Sequence, residues 1–95
     1  MKLYKVIIEP QAQEDLNSIF DFIEQNGSKN LAKRFVNKLY KKIKELNYMP
    51  YRCRKSIYIN EESVRDLIVQ GYTIVYKVQE KSVHILTVFR QKETL

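Results

Sequence analysis

Cysteine is nearly absent from this chain, and glycine and proline are scarce. Cys53 is the only cysteine among 95 residues, which excludes an internal disulfide and leaves a cysteine-based zinc site without its other sulfur ligands. A single thiol fits a reducing compartment, so we expect a cytoplasmic protein. With two glycines and two prolines, the chain offers no flexible linker, repeat or low-complexity tract. The composition therefore predicts one domain covering residues 1–95.

Long hydrophobic runs are absent as well. The first apolar stretch is interrupted by Lys5 and ends at Glu9 and Pro10, unlike the continuous apolar segment of an export signal. No run approaches the ~20 apolar residues that cross a bilayer. We therefore expect a soluble protein with no membrane partner.

Positive charge is in excess. The sequence has 17 Lys and Arg against 11 Asp and Glu, a formal charge of +6, and an isoelectric point near 9.5. Such a balance favours an acidic partner. Basic surfaces are also common on small domains that bind no nucleic acid. The charge indicates a class of partner and identifies none.

Periodicity predicts a strand and a first helix. Alternating apolar residues over 2–8 are typical of a strand. Pro10 suits the first turn of a helix, where Glu14 and Asp15 would lie near the positive end of the helix dipole. The pair Asn26-Gly27 marks the end of this helix.

A second amphipathic helix follows. Ser28 is placed to cap it, and Tyr48-Met49-Pro50 ends it. Its apolar stripe consists of Leu31, Phe35, Leu39, Ile43 and Leu46. Its opposite face is basic and carries Lys33, Arg34, Lys38, Lys41, Lys42 and Lys44. Because the interhelical loop is about two residues long, we expect an antiparallel hairpin of helices. A solvated helix surface is the favoured explanation of this basic face.

After Pro50 the periodicity changes to two, which is typical of strands. Four strands are predicted, at residues 54–59, 64–69, 72–78 and 82–90. Short turns between them predict antiparallel neighbours, and apolar residues on both faces of 72–78 place that strand centrally. The fold class is thus α+β: an N-terminal strand, an antiparallel helix hairpin, then a mainly antiparallel sheet. The expected core is Leu16, Phe20, Ile23, Phe35, Leu39, Ile43, Ile74, Tyr76, Ile85, Leu86 and Val88.

Few residues suggest chemistry. His84, the only histidine, alternates with Leu86 and Val88 along a strand, which favours a partly buried structural role over catalysis. No cluster has metal-ligand spacing and no glycine-rich loop is present to bind phosphate, so no cofactor or metal is expected. Arg52, Arg54 and Lys55 form the best basic patch, interleaved with tyrosines. A charged edge strand that discourages aggregation explains this patch equally well.

The order of these segments resembles the RelE/ParE superfamily of bacterial toxins. The series Glu9-Pro10-x-Ala12-x-x-Asp15-Leu16, followed by Gly27, Ala32, Leu46 and Pro50, is similar to the helical half of these proteins. The stretches 64–67, 71–78 and 83–90 are similar to their three sheet strands in order and spacing. The resemblance implies the toxin of a toxin-antitoxin pair.

Two mechanisms occur in this superfamily. Its nuclease members cut mRNA on the ribosome with charged groups that deprotonate a ribose hydroxyl and stabilise the phosphorane. Where those members carry arginine on a strand, this chain has Thr73, and where they carry Arg or His near the C-terminus it has Gln91. A neutral hydroxyl does not replace a guanidinium on phosphate. Arg65, Arg90 and Lys92 lie near nuclease positions, so an mRNA endonuclease stays open as the alternative.

The ParE-like branch is similar to this chain in its long helix hairpin, and it poisons DNA gyrase by binding, without catalytic residues. We therefore expect a gyrase inhibitor rather than an enzyme, with no catalytic residue assigned. The candidate target-binding residues are Arg65, Tyr72, Arg90 and Lys92, and the three basic residues among them are expected to be exposed.

The expected partners follow from the same resemblance. They are a cognate antitoxin, which lays an acidic amphipathic helix or strand on the toxin, and DNA gyrase, with ribosome and mRNA as the alternative target. A homodimer and a toxin-antitoxin hetero-oligomer both remain open. A non-toxin alternative is a small basic RNA- or DNA-binding module that uses the sheet face and the Arg52 to Lys55 patch.

Overall fold

The computed structural model describes residues 2–90. Within them the chain forms, in order, β1 (Lys5–Ile8), α1 (Pro10–Asn26), α2 (Lys29–Lys44), β2 (Arg54–Lys55), β3 (Val64–Val69), β4 (Tyr72–Val78) and β5 (Ser82–Arg90). Short 3-10 turns cover Glu45–Asn47 and Pro50–Arg52. No helix in this part of the chain is long and apolar enough to cross a membrane.

The five strands form one sheet in the order β1-β5-β4-β3-β2. Pairs among β2 to β5 are antiparallel, whereas β1 lies parallel to β5 at the edge. The predicted α+β class and the central position of β4 are confirmed. The turn between β3 and β4 has both Gln70 and Gly71 at positive φ, 46° and 86°, as the tight right-twisting hairpin turn requires.

The helical hairpin forms as the sequence predicts, with Gly27 and Ser28 as its two-residue loop. The Ser28 hydroxyl accepts a hydrogen bond from the Leu31 amide at 3.1 Å and so caps α2. A side chain at Gly27 would bring its Cβ to 3.1 Å from the Ile23 carbonyl oxygen of α1 and to 3.2 Å from Leu31 Cδ1 of α2. This glycine therefore permits the close approach of the two helix ends.

The helices cover one face of the sheet and enclose the main core. Seven of the eleven predicted core residues are buried: Leu16, Leu39, Ile43, Ile74, Tyr76, Ile85 and Val88. Four are only half-buried: Phe20, Ile23, Phe35 and Leu86. Leu31, which the sequence predicts as part of the apolar stripe of α2 and not of this core, is 51% exposed. It lies in the first turn of α2, beside Gly27 at the end of the hairpin.

The predicted strand 54–59 is wrong beyond its second residue. The Ser56 hydroxyl accepts hydrogen bonds from the amides of Tyr58 and Ile59, at 3.1 and 3.2 Å, and the Ile57 amide donates to the Asp66 carboxylate at 3.1 Å. Side-chain acceptors thus take the donors that a strand ladder needs. The first strand is also shorter than predicted, because residues 2–4 do not join the sheet.

A bulge in β5 changes which residues share a face. Tyr76 lies opposite Ile85, but Val75 lies opposite Thr87, so one residue of β5 has no partner. The predicted alternation of His84, Leu86 and Val88 on one face is therefore wrong. Beyond the bulge Val88 enters the helix-covered core, whereas the strand partner of His84 is the half-exposed Lys77.

Candidate interaction surface

The structure brings two of the predicted binding residues together. Tyr72 and Arg90 are strand partners at the ends of β4 and β5. With Ser18, Ile19 and Phe22 of α1 they line an open groove of about 240 Å³, here called the α1–sheet groove. The Tyr72 ring packs against the Phe35 ring of α2 with 5.1 Å between centroids, and this contact fixes its position. The Arg90 side chain is exposed.

The α1 side of this groove was missed by the sequence analysis. Phe22 is 51% exposed although it belongs to an amphipathic helix. It lies off the stripe of buried residues Ala12, Leu16 and Ile19. The sequence did contain a signal for this surface, namely an aromatic residue outside the apolar stripe of the helix. A phenyl ring at a solvated helix position contributes no burial energy.

Arg65 is not the exposed residue that the sequence predicts. Its side chain is only 13% exposed. Its guanidinium donates to the carbonyl oxygens of Glu62, Tyr51 and Cys53 at 3.1, 3.3 and 3.0 Å and to the Glu62 carboxylate at 2.8 Å. It also lies 4.9 Å from the centre of the Tyr51 ring. The guanidinium is therefore bound within the protein, where it holds segment 51–62 against β3.

The basic patch is similarly engaged. Arg52 donates to the carbonyl oxygens of Tyr48, Glu45 and Met49 at 2.6, 3.3 and 3.4 Å. Arg54 pairs with the buried Asp66 at 3.4 Å, and Lys55 pairs with Glu62 at 3.1 Å. Each cation therefore has an internal partner, and the edge-strand explanation of the patch fits these contacts better than a nucleic-acid surface.

An aromatic groove of about 610 Å³ adjoins this patch. Tyr4, Tyr48, Met49 and Tyr51 line it, with Lys2 placed over the Tyr4 ring at 5.1 Å. Of the two tyrosines interleaved with the basic patch in the sequence, Tyr51 lines this groove, whereas Tyr58 contacts Phe89 instead. The guanidinium of Arg52 at its rim is bound to carbonyl oxygens, so a donor of this group is already engaged within the protein.

The position where nuclease relatives carry arginine is closed to solvent. Thr73 is 0% exposed, and its hydroxyl has no hydrogen-bond partner among the described residues. Its strand partner Phe89 contacts the ring of Tyr58 edge-on at 5.0 Å. Tyr58 therefore lies over this part of the outer sheet face, the face opposite the helices.

The basic face of α2 is the largest group of exposed cations. Lys33, Arg34, Lys38, Lys41 and Lys44 are all exposed. Within the described residues the one ion pair of this face joins Lys42 to Glu45 at 3.8 Å. At that distance and exposure the pair contributes little to stability. The face is consequently free to attract an acidic partner.

His84 is half-buried, as predicted. Its Nδ1 lies 2.9 Å from the Glu9 carboxylate and its Nε2 lies 2.9 Å from the Ser82 hydroxyl. Lys92 and Gln91, the remaining residues named from the sequence, lie outside the described residues.

Comparison with known proteins identifies the family. The profile of the ParE toxin of type II toxin-antitoxin systems, parDE, matches residues 6–95. A chain of the chromosomal ParDE system from P. aeruginosa superposes with a TM-score of 0.81 at 18% identity, covering 95% of this chain and 98% of that one. A chain of the RelBE2 toxin-antitoxin complex from Mycobacterium tuberculosis gives 0.71 at 18% identity, covering 96% and 94%. A search of curated proteins found no match. These structures share the fold described above, and because the family profile matches nearly the whole sequence, the chain belongs to the ParE toxins of type II toxin-antitoxin systems.

Proposed function

We propose that this protein arrests bacterial growth from within the cytoplasm by binding DNA gyrase, and that a cognate antitoxin neutralises it. The observation that carries the proposal is the burial of Thr73. A catalyst of RNA cleavage needs a cation at the scissile phosphate, and removal of one such group typically costs on the order of 10² to 10³ in rate. A buried neutral residue at that position favours action by binding.

The other described groups support the same view. The Arg65 guanidinium is held by three carbonyl oxygens, and both ring nitrogens of His84 have partners within the protein. Neither is placed to reach a ribose hydroxyl without breaking these contacts. A binding protein needs only a surface, and the α1–sheet groove offers aromatic rings next to the exposed Arg90. Aromatic residues and arginine are enriched among the residues that dominate interface energies.

The antitoxin is proposed to bind with acidic residues against the basic face of α2. Lys38, Lys41 and Lys44 are exposed on one side of that helix. Opposite charges would speed the encounter of the two proteins and fix their register. The two solved relatives are themselves parts of toxin-antitoxin systems, which supports the assignment of such a partner.

The deciding experiment runs gyrase supercoiling and mRNA cleavage on translating ribosomes with one preparation. We expect loss of supercoiling, a DNA-damage response on induction, and intact mRNA. Arg90→Glu should weaken gyrase inhibition about tenfold, equivalent to ~1.4 kcal/mol of binding. Lys33→Glu makes the same charge change away from the groove and should leave the inhibition unchanged.

Codon-phased mRNA cuts with unaffected gyrase would overturn the proposal in favour of a nuclease. Neutralisation is tested separately, by co-expression with the protein encoded by the neighbouring reading frame. We expect that protein to co-purify with the toxin and to restore growth. If it does neither, the antitoxin part of the proposal is wrong.

A further inference from the structure

A relay of hydrogen bonds joins three residues of the outer sheet face. The Ser82 hydroxyl lies 2.9 Å from His84 Nε2, and His84 Nδ1 lies 2.9 Å from Glu9 Oε1. A serine, a base and an acid joined through these two ring nitrogens form the arrangement that activates a hydroxyl as a nucleophile. The proposed gyrase-binding function uses none of the three residues.

The direction of the hydrogen bonds follows from the tautomer of His84. With a neutral imidazole beside an ionised carboxylate, which only accepts, the proton lies on Nδ1 and is donated to Glu9. Nε2 is then a free acceptor, and the Ser82 hydroxyl donates to it. His84 is thus placed to remove the hydroxyl proton when Ser82 forms a new bond.

The fold places these residues together from opposite ends of the chain. β1 runs parallel to β5 with Lys5 opposite Ser82 and Ile7 opposite His84. Glu9 follows two residues after Ile7 and therefore points to the same face. It is also the N-cap residue of α1, yet its side chain makes no capping hydrogen bond. The carboxylate binds His84 instead.

An exposed lysine lies beside the relay, which is reachable from solvent. Lys5 is exposed beside Ser82, and Lys77 is the strand partner of His84, where it pairs with Glu61 at 3.3 Å. The side chains of His84 and Glu9 are 22% and 37% exposed. An anionic group would be attracted to this site, and a small reagent has access to it.

We propose that Ser82 is a reactive serine that takes up phosphoryl groups from phosphate esters or anhydrides, with His84 as base and Glu9 as a positioning residue. Ser82 Oγ attacks phosphorus and forms the Oγ–P bond while its proton passes to His84 Nε2. The bond from phosphorus to the leaving oxygen breaks, and that oxygen departs with the electron pair and receives the proton from His84. The products are phosphorylated Ser82 and the released alcohol or acid.

A fluorophosphonate probe tests the proposal, because it forms the same Oγ–P bond and releases fluoride. We expect one adduct by intact-protein mass spectrometry, mapped to Ser82 by peptide sequencing. Ser82→Ala should abolish the adduct, and His84→Gln should lower its rate of formation by ~10² to 10⁴, the usual contribution of a general base. Glu9→Gln keeps an acceptor for Nδ1 but removes the charge, so it should lower the rate less than His84→Gln.

Ser63 provides the matched control, because it is half-buried like Ser82 and has no histidine partner among the described residues. Ser63→Ala should label at the wild-type rate. Circular dichroism checks that each variant is folded. Labelling of Ser82 no faster than that of Ser63 in the folded wild-type protein would overturn the proposal, and so would an unchanged rate in His84→Gln. Neither result depends on whether the protein inhibits gyrase.

Discussion

Arg65 stabilises the irregular segment between α2 and β3, although the sequence predicts it as a residue that binds the target. Three backbone carbonyl oxygens and the Glu62 carboxylate surround the guanidinium. Hydrogen bonds to charged groups contribute roughly 1.5 to 3 kcal/mol each when partly shielded from water, although they are not additive. Lysine cannot span the same acceptors, since it lacks the planar fork.

The first prediction is that Arg65→Lys lowers the free energy of unfolding by about 2 kcal/mol, on the basis of these lost bonds. Urea denaturation followed by circular dichroism measures the change. Arg90→Lys is the control, because Arg90 is exposed, and such a surface change should stay within ~0.5 kcal/mol. Equal stability of the two variants would show that the Arg65 contacts are not structural.

The second prediction concerns the response of Tyr76 to alkaline pH. Tyr76 is 0% exposed and donates to the Pro50 carbonyl oxygen at 2.6 Å. Burial raises the pKa of Tyr76 well above its usual value, and the nearby Cys53 thiol adds to the effect. An unfolded tyrosine titrates near pH ~10, so above that pH the unfolded state loses a proton that the native state retains. The contribution to stability is complete below about pH 10 and declines as the pH rises.

The test measures the free energy of unfolding of the wild type and of Tyr76→Phe in buffers between pH 8 and 11.5. The variant should be about 1 kcal/mol less stable at neutral pH because it lacks the hydrogen bond. Above pH ~10 the wild type should decline more steeply, by at most about 1.4 kcal/mol per pH unit from this group. Parallel profiles for the two proteins would contradict the assignment.

At the scale of the elements, Asp15 links α1 to β5. It lies beyond the first turn of α1, so the predicted dipole role is wrong. Its carboxylate accepts hydrogen bonds from the Thr87 hydroxyl at 2.6 Å and from the Val88 amide at 2.9 Å. Pairing between β1 and β5 ends at Ile8 and Ile85. The carboxylate thus supplies an acceptor where the neighbouring strand has ended.

The third prediction is that Asp15→Ala destabilises the protein by ~1 to 3 kcal/mol, the cost of leaving such donors without a partner. Amide hydrogen exchange of Val88, measured by NMR, should accelerate more than that of Ile74 in the central strand. Glu14→Ala changes the exposed neighbour and should leave both stability and exchange unchanged within ~0.5 kcal/mol. Unchanged protection of Val88 would exclude the proposed link.

At the scale of the whole molecule, the net charge of +6 is unevenly distributed, because α2 carries seven Lys and Arg and no Asp or Glu, whereas α1 carries four Asp and Glu and no Lys or Arg. Among the other cations of residues 2–90, Arg54, Lys55, Arg65 and Lys77 have carboxylate partners. The exposed lysines of α2 therefore dominate the field that an approaching partner meets. Surface charges of this kind act mainly on the rate of association and are screened by salt.

The fourth prediction is that association with the proposed antitoxin slows by about tenfold between low salt and high salt, as expected for electrostatic steering. Stopped-flow kinetics measures this rate. Lys41→Glu should slow association at low salt and flatten its salt dependence. Lys81→Glu makes the same charge change in the turn before β5 and should have a smaller effect. A rate that is independent of salt would rule out steering by this face.

The amino-acid sequence by itself determined the order and type of the elements, the hairpin of helices and the central place of β4. Each of these rests on local periodicity, because a helix or strand with one apolar side buries that side in any fold. The family resemblance likewise followed from the order of short segments along the chain. Burial of Leu39, Ile43 and Ile74 needed no further information.

The tertiary structure decided which polar side chains are free and which are used inside the protein. Arg65 and Arg90 are both arginines on strands, but within residues 2–90 only the first has carbonyl oxygens arranged around it. The α1–sheet groove joins Phe22 to Tyr72, and the relay joins Glu9 to His84 across 75 positions of the sequence. The early end of β2 and the bulge in β5 likewise depend on contacts with other segments. Local patterns carry no signal for such contacts, because their energies depend on distances that exist only once the whole chain has folded.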